Sequence, residues 1–167
     1  MNHIAVRTPL DSLFAGIAAA ARGPLASRPA DVSAVLRAFA GSDGLFDAMD
    51  CPCGEASYAR HRLAEGTGHA VLALVWRPGQ MSPVHAHRAW CALAVHEGTL
   101  VETFHDPEDP ARPLSARLLG PGQGSAAPAD PRLLHRLANL SGRTALSIHV
   151  YGVAFDQLGT ELNDIRG

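Results

Sequence analysis

Apolar positions change their period along this chain. Between Thr8 and Ala40 they recur every three to four residues; from His69 onward they fall in short blocks separated by turns rich in glycine and proline. Leu10, Leu13, Phe14, Ile17 and Ala21 share one helical face, which predicts a helix from about Leu10 to Arg22. Thr8-Pro9 opens it, with proline at a tolerated early position, and Gly23-Pro24 closes it. Val32, Val35, Leu36 and Phe39 predict a second helix over Asp31 to Ala40, capped by Asp31 and ended by Gly41. The stretch Leu13 to Ala21 also has the apolar density of a weak secretion signal. Asp11 interrupts its approach, however, and the one-sided spacing favours a helix that packs on a core. Phe46 to Tyr58 reads as loop.

From there the pattern is that of strands. His69 to Trp76 is a continuous apolar run between Gly68 and Pro78-Gly79, as expected of a buried strand. Cys91 to His96 and Thr99 to His105 flank Glu97-Gly98, which reads as a hairpin. Leu114 to Leu119 is a further strand, followed by the turn Gly120-Pro121-Gly122-Gln123-Gly124, and Leu133 to Leu140 and Thr144 to Tyr151 complete the set. Regularly spaced strands without intervening helices predict a mainly β, antiparallel barrel or sandwich. The expected organisation is one domain over 1–167: a small helical N-terminal cap (1–57), a β-barrel (58–155) and a C-terminal tail (156–167).

Composition narrows the classes of function. The chain has 167 residues, 47% of them hydrophobic and 18% charged, the size of one ordinary domain. Net charge is −2 with both signs interspersed, so no basic surface for nucleic acid is expected. No apolar run reaches the roughly 18 residues of a membrane span. Every basic residue is arginine, which removes Schiff-base chemistry and a phosphate-loop lysine. Cys51, Cys53 and Cys91 make an odd count, and Cys51-Pro52-Cys53 is spaced too tightly for a C-x-x-C half-site. No disulfide scaffold is expected, which favours a reducing, cytoplasmic setting. A monomer is compatible with these features, which leave the oligomeric state open.

The sharpest chemical signal is Gly79-Gln80-Met81-Ser82-Pro83-Val84-His85-Ala86-His87. Alternate residues of a strand point to one face, so His85 and His87 aim their rings together and form a chelating pair. A third histidine, His135, lies on a later strand. The string of Gly79, five residues, His85-x-His87, three residues, Cys91, six residues and Gly98 resembles the first cupin motif. His135 with Asn139 resembles the second. The resemblance, over about Gly68 to Tyr151, implies a double-stranded β-helix, a jelly-roll-like barrel. Here Cys91 stands where the cupin carboxylate ligand is expected. Three neutral imidazoles would leave a divalent ion its full charge and open coordination positions.

Further residues narrow the resemblance to the cysteine dioxygenases and related thiol dioxygenases, over about Tyr58 to Phe155. Tyr58-Ala59-Arg60 resembles the family's Tyr-x-Arg, and Ser147-Ile148-His149-Val150-Tyr151 its Ser-x-His-x-Tyr. Cys91 and the run Glu97-Gly98-Thr99-Leu100-Val101-Glu102-Thr103 resemble its Cys-bearing strand. The resemblance implies a mononuclear Fe(II) held by His85, His87 and His135, and oxidation of a small thiol to a sulfinate with both atoms of dioxygen. Arg60, with Arg62 as its rival, would clamp a substrate carboxylate, and Tyr58 would add a hydrogen bond. Tyr151 would orient sulfur and oxygen, with its hydroxyl held through His149 and Ser147 on the same strand face. Cys91 and Tyr151 match a pair that is crosslinked as a thioether in some members.

The sequence departs from the family in places. Ala86 replaces a common Asp, and Gly152-Val153-Ala154 replaces Ser-Pro-Pro. The pattern His85-x-His87-x-x-Trp90 looks like the branch that oxidises mercaptopropionate, whereas Arg60 points back to cysteine, because that branch tends to carry Gln there. L-cysteine is therefore the expected substrate, with 3-mercaptopropionate or mercaptosuccinate as alternatives. A non-enzymatic metal- or ligand-binding cupin sensor and a different cupin enzyme, such as an isomerase, are the competing classes. Trp76 and Trp90 read as packing, with Trp90 a candidate pocket wall. His3, His61, His69, His96 and His105 read as structural or solvent-facing.

Overall fold

The computed structural model describes residues 8–46, 58–159 and 162–165. Helix α1 (Pro9–Ala20) begins at a capping box: the Thr8 hydroxyl accepts from the Asp11 backbone N–H, and the Asp11 carboxylate accepts from the Thr8 N–H at 3.0 Å. Helix α2 (Arg28–Phe39) begins three residues before the expected start. Pro29 is what allows it, since proline costs nothing in a first turn; Asp31 therefore lies inside that turn and is not the cap. Gly41, with φ +84°, takes the left-handed conformation just past the helix end.

Ten strands form two five-stranded sheets among the described residues: β1 (Ala59–Gly66), β2 (His69–Trp76), β3 (His85–His87), β4 (Cys91–Glu97), β5 (Leu100–His105), β6 (Pro113–Leu119), β7 (Gly124–Ala127), β8 (Asp130–Ala138), β9 (Ala145–Tyr151) and β10 (Asn163–Ile165). One sheet has the order β1-β2-β9-β4-β7 and the other β10-β3-β8-β5-β6, with antiparallel pairings throughout. This is the predicted mainly β double-stranded β-helix with two helices against it.

The expected hairpin at Glu97-Gly98 is not one. β4 pairs with β7 and β9, while β5 pairs with β6 and β8, so the turn carries the chain from one sheet to the other. Gly98 is required there for two reasons: its φ is +71°, and a Cβ would stand 2.7 Å from the Thr144 carbonyl oxygen. Three strands were not expected. β1 alternates exposed Arg60 and Arg62 with half-covered residues, β7 has four residues, and β10 has three within the expected tail.

The continuous apolar run of β2 follows from its place in the middle of the first sheet, covered on both sides. Leu72, Leu74 and Trp76 face the barrel interior with Leu93 and Leu137. Val71, on the other face, packs with Ala92, Ala94, Ile148 and Val150 against Leu13, Ile17, Val32 and Leu36 of the helices. The helices thus seal the back of the sheet that carries half of the site. Leu36 is fully buried at this seam. Leu36→Ala is expected to cost about 2–5 kcal/mol of unfolding free energy. Urea denaturation would measure this, and a loss below about 0.5 kcal/mol would mean that the helices are not part of the core.

Candidate metal centre and substrate pocket

The loop before β3 is stapled to the end of β8. Gly79 N–H donates to the Asn139 carbonyl at 2.8 Å, and Asn139 N–H donates to the Gln80 carbonyl at 2.9 Å. The buried Asn139 amide also donates to the Trp76 and Arg143 carbonyls, at 2.8 and 2.7 Å. Ser82 N–H bonds the Leu137 carbonyl, and its hydroxyl accepts from Leu137 N–H at 3.1 Å. These contacts set the register in which His85 lies directly opposite His135. The Gly79 and Asn139 of the two sequence motifs are therefore the residues that bring the strands together.

His85, His87 and His135 are all buried, and their ligand-capable nitrogens lie within 4.8 Å of one another. Two of the rings have their Nδ1 side engaged outward. His85 Nδ1 donates to the Pro83 carbonyl at 2.9 Å, and His135 Nδ1 to a Glu102 carboxylate oxygen at 2.9 Å. His87 lies across from Asn163 in β10, whose side chain favours a proton on the ring, although its Nδ1 makes no hydrogen bond among the described residues. The carbonyl and the carboxylate place the protons of His85 and His135 on Nδ1 and turn their Nε2 lone pairs inward; the Nε2 atoms of His87 and His135 are 3.1 Å apart. Lone pairs so close in a buried space repel unless a cation or proton lies between them. The donor set therefore fits a divalent transition-metal ion bound by three imidazole nitrogens with positions left open. Burial, reinforced by the neighbouring rings, pushes His85 down to about 4 and His87 down to about 2, which keeps both neutral and able to ligate.

A relay runs along the inner face of the first sheet. Trp76 Nε1–H donates to Ser147 Oγ at 2.9 Å, Ser147 Oγ lies 2.8 Å from His149 Nε2, and His149 Nδ1 lies 3.0 Å from the Tyr151 hydroxyl. The indole can only donate, and Ser147 is fully buried with these two partners. Satisfying the serine proton requires Ser147 to donate to His149 Nε2. His149, neutral because burial pushes it down to about 3, then carries its proton on Nδ1 and donates to Tyr151. The phenol proton is left free to point into the pocket. Burial, with Cys91 nearby, raises the Tyr151 pKa, so the group stays a phenol.

Arg60 and Tyr58 line the same cavity as the three histidines, Cys91, His149 and Tyr151. Arg60 Nη2 donates to the Tyr58 hydroxyl at 2.7 Å and the guanidinium sits 5.0 Å from that ring's centroid. Tyr58 stacks on Trp76 at 4.1 Å, joining the Arg60 side of the pocket to the relay. Arg62, the rival, lies over Phe155 and does not line the cavity. Cys91 is buried directly opposite Tyr151 across β4 and β9, and burial pushes its thiol up to about 12.

Other expectations are changed. Trp76, expected only to pack, lines the cavity, whereas Trp90 does not. Trp90 instead packs beneath Gly152, where any Cβ would strike the indole, and so accounts for glycine in place of the family's serine. Ala86, in place of the Asp common in the motif it resembles, is fully buried in an apolar cluster with Val84 and Leu134. Among the outlying histidines, His96 accepts from Gly41 N–H and His105 bonds the Pro110 carbonyl. His3, Cys51 and Cys53 lie outside the described residues. Sequence reasoning missed Leu158, Leu162 and Asn163 of the C-terminal segment, which line the cavity. It also missed the role of Glu102, which it quoted only inside a longer run.

Fold and site together define a cupin-type protein with a three-histidine centre able to hold a metal. The family model for cysteine dioxygenase type I matches residues 29–160, and the chain belongs to that family. Solved structures agree on the fold. A conserved double-stranded β-helix protein from Klebsiella pneumoniae is 16% identical with a TM-score of 0.51, covering 62% of this chain and 83% of its own. An oxalate oxidase in complex with glycolate is 18% identical with a TM-score of 0.50, covering 67% of this chain and 58% of its own. Also matched is a protein from Thermus thermophilus, 23% identical with a TM-score of 0.49, covering 60% of this chain and 87% of its own.

The buried imidazoles make stability depend on pH. They stay neutral in the folded chain but take protons near pH 6.5 when unfolded, so the unfolded state binds more protons as pH falls below that value. For metal-free protein the urea midpoint is expected to drop between about pH 7 and about pH 5, before carboxylates titrate appreciably. An unchanged midpoint over that window would show that the rings accept protons in the folded state.

Proposed function

We propose that this protein is a mononuclear non-haem Fe(II) thiol dioxygenase that converts a small carboxylated thiol, L-cysteine first among them, to its sulfinate. The observation that carries the reading is one cavity lined jointly by three metal-competent imidazoles, an arginine–tyrosine pair and the hydroxyl end of a buried relay. Membership of the cysteine dioxygenase type I family supports it. The reaction balances without another reductant: the four electrons lost by the thiol sulfur are those gained by dioxygen, and both oxygen atoms end on sulfur.

A ferrous ion held by His85, His87 and His135 would supply a site for the thiolate and a means of activating dioxygen. The chain's own groups do the rest. Arg60 presents its fork to a carboxylate, and Tyr58, whose oxygen accepts from Arg60, still has its own proton to give the same anion. The Tyr151 O–H, oriented from behind by His149 and Ser147, is a fixed donor toward the reacting atoms. Leu72, Leu74, Leu93 and Leu137 keep water from the sulfur side of the cavity. This reading places the enzyme in the cytoplasm, with a small thiol and dioxygen as its partners.

The test is oxygen uptake by iron-loaded protein against L-cysteine, 3-mercaptopropionate, mercaptosuccinate and cysteamine. Uptake with a carboxylated thiol, dependent on Fe(II), is expected; no uptake with any thiol would leave a sensor or another cupin chemistry. Arg60→Ala should raise KM for the acid thiol roughly 10–100-fold, as expected for loss of a charge-assisted hydrogen bond. A comparable rise with cysteamine, which has no carboxylate, would remove Arg60 from the clamp role.

The cross-strand placement of Cys91 and Tyr151 supports a thioether between the Cys91 sulfur and the Tyr151 ring. Forming that bond removes two hydrogens, with dioxygen as oxidant. After aerobic turnover, mass spectrometry is expected to find one linked peptide spanning both residues and lighter by two hydrogens than the sum. Recovery of only separate peptides would discard the link.

A further inference from the structure

Behind His135, on the side away from the substrate pocket, the barrel encloses a carboxylate whose hydrogen bonds are all directed. Glu102 is 1% exposed. One of its oxygens accepts from His135 Nδ1 at 2.9 Å and from the Ser125 hydroxyl at 3.1 Å. The other accepts from Arg117 Nε at 2.9 Å and Arg117 Nη2 at 2.7 Å. Arg117 Nη2 also donates to Ser125 Oγ at 2.7 Å, so the serine accepts from arginine and spends its own proton on Glu102. Four donors meet one acceptor pair, and none of the four is free to turn round. The group is an ionised carboxylate by construction, and its bond to His135 fixes the proton on Nδ1 and the lone pair on Nε2.

The placement follows from strand register. Glu102 pairs with Leu137 across β5 and β8, so His135, two residues from Leu137, is its diagonal neighbour on the same inward face. Arg117 lies directly opposite Glu102 on β6, and Ser125 is supplied by β7 of the other sheet. The three neutral-imidazole ligands expected from sequence are thus not electrically alike. His85 rests on a backbone carbonyl and His87 faces an amide, while His135 alone rests on an anion.

We propose that Glu102 is a positioning residue for the metal centre: through His135 it supplies the negative charge that the cupin motif normally places directly on the metal, at the position occupied here by Cys91. Arg117 and Ser125 hold that charge in place. This rests on the metal-site reading above. A carboxylate behind a ligating histidine raises the basicity of the ring, and its loss generally weakens metal binding about 10–100-fold.

The test uses Co(II) as the probe, with binding followed by titration and by its d–d absorption. Glu102→Gln keeps size and shape but removes the charge, and turns an amide toward Arg117. It is expected to bind Co(II) about 10–100-fold more weakly than the wild type, with shifted absorption bands and a circular dichroism spectrum like the wild type's. Arg117→Gln and Ser125→Ala, which leave the carboxylate in place but loosen it, should show smaller losses in the same direction. They carry the test if Glu102→Gln does not fold. Glu102→Gln that folds and binds within twofold of the wild type, with unchanged bands, overturns the proposal and leaves the metal reading intact. So do Arg117→Gln and Ser125→Ala with wild-type binding where Glu102→Gln cannot be obtained. A wild type that binds no Co(II) brings down the metal reading itself, and this one with it.

Discussion

Three imidazole rings turned inward at a separation they would not adopt in water are the constraint that organises the rest of this protein. His87 and His135 bring Nε2 atoms to 3.1 Å, and His85 completes the group. The arrangement is held from outside, by a backbone carbonyl on His85 Nδ1, a carboxylate on His135 Nδ1 and the strand pairing of His87 with Asn163. Each partner comes from a different part of the chain. The loop before β3, the late strand β10 and strand β5 all have to be in register before the nitrogens converge. Burial then keeps His85 and His87 neutral, because a protonated imidazole in this space would lose its hydration and lie close to the neighbouring rings, so that two of them could not be charged together. The barrel can thus be read as a device for presenting three lone pairs to one point.

The second organising feature is strand β2. Its outward face packs on the helices and its inward face ends in Trp76, which bonds Ser147 and stacks on Tyr58. One indole therefore joins two arms of the pocket. On one side the contact continues through Tyr58 to Arg60; on the other it continues through Ser147 and His149 to Tyr151. The direction of the second arm is decided at its start, since an indole N–H can only donate. A core tryptophan that only filled space would not determine which way the tyrosine proton points.

Much of this was legible in the sequence, for identifiable reasons. His85 and His87, and likewise Ser147, His149 and Tyr151, are spaced by two, and a strand's alternation converts that spacing into a shared face whatever the sheet's wider topology. Gly79, Gly98 and Asn139 were legible because turns and staples impose residue types. What was not legible depends on partners distant in sequence. β1 lacks an apolar run because one of its faces is exposed. β10 is too short for any periodicity, so Asn163 could not be seen beside His87. The turn at Glu97-Gly98 has hairpin composition, and only the pairing of β4 and β5 with other strands shows that it crosses between sheets. Trp76 and Trp90 are alike as residues; which one lines the cavity is decided by strand phase and by the missing side chain at Gly152.

Charge is the least legible property of all, because it is summed over residues that touch only in the fold. By sequence the centre has lost its carboxylate to Cys91. In the fold a carboxylate returns behind one ligand, already paired with Arg117. The pair is lopsided: Glu102 is buried, while the Arg117 side chain is 46% exposed and shares its charge with solvent. The anion is therefore felt inside the barrel more strongly than the cation that accompanies it. On the cavity side Arg60 lines the pocket with its guanidinium bonded to the Tyr58 hydroxyl. Negative charge behind His135 and positive charge in the cavity lining make a field across the site. For the carboxylated thiol proposed above as substrate, that field favours the carboxylate at Arg60 and the sulfur at the histidines.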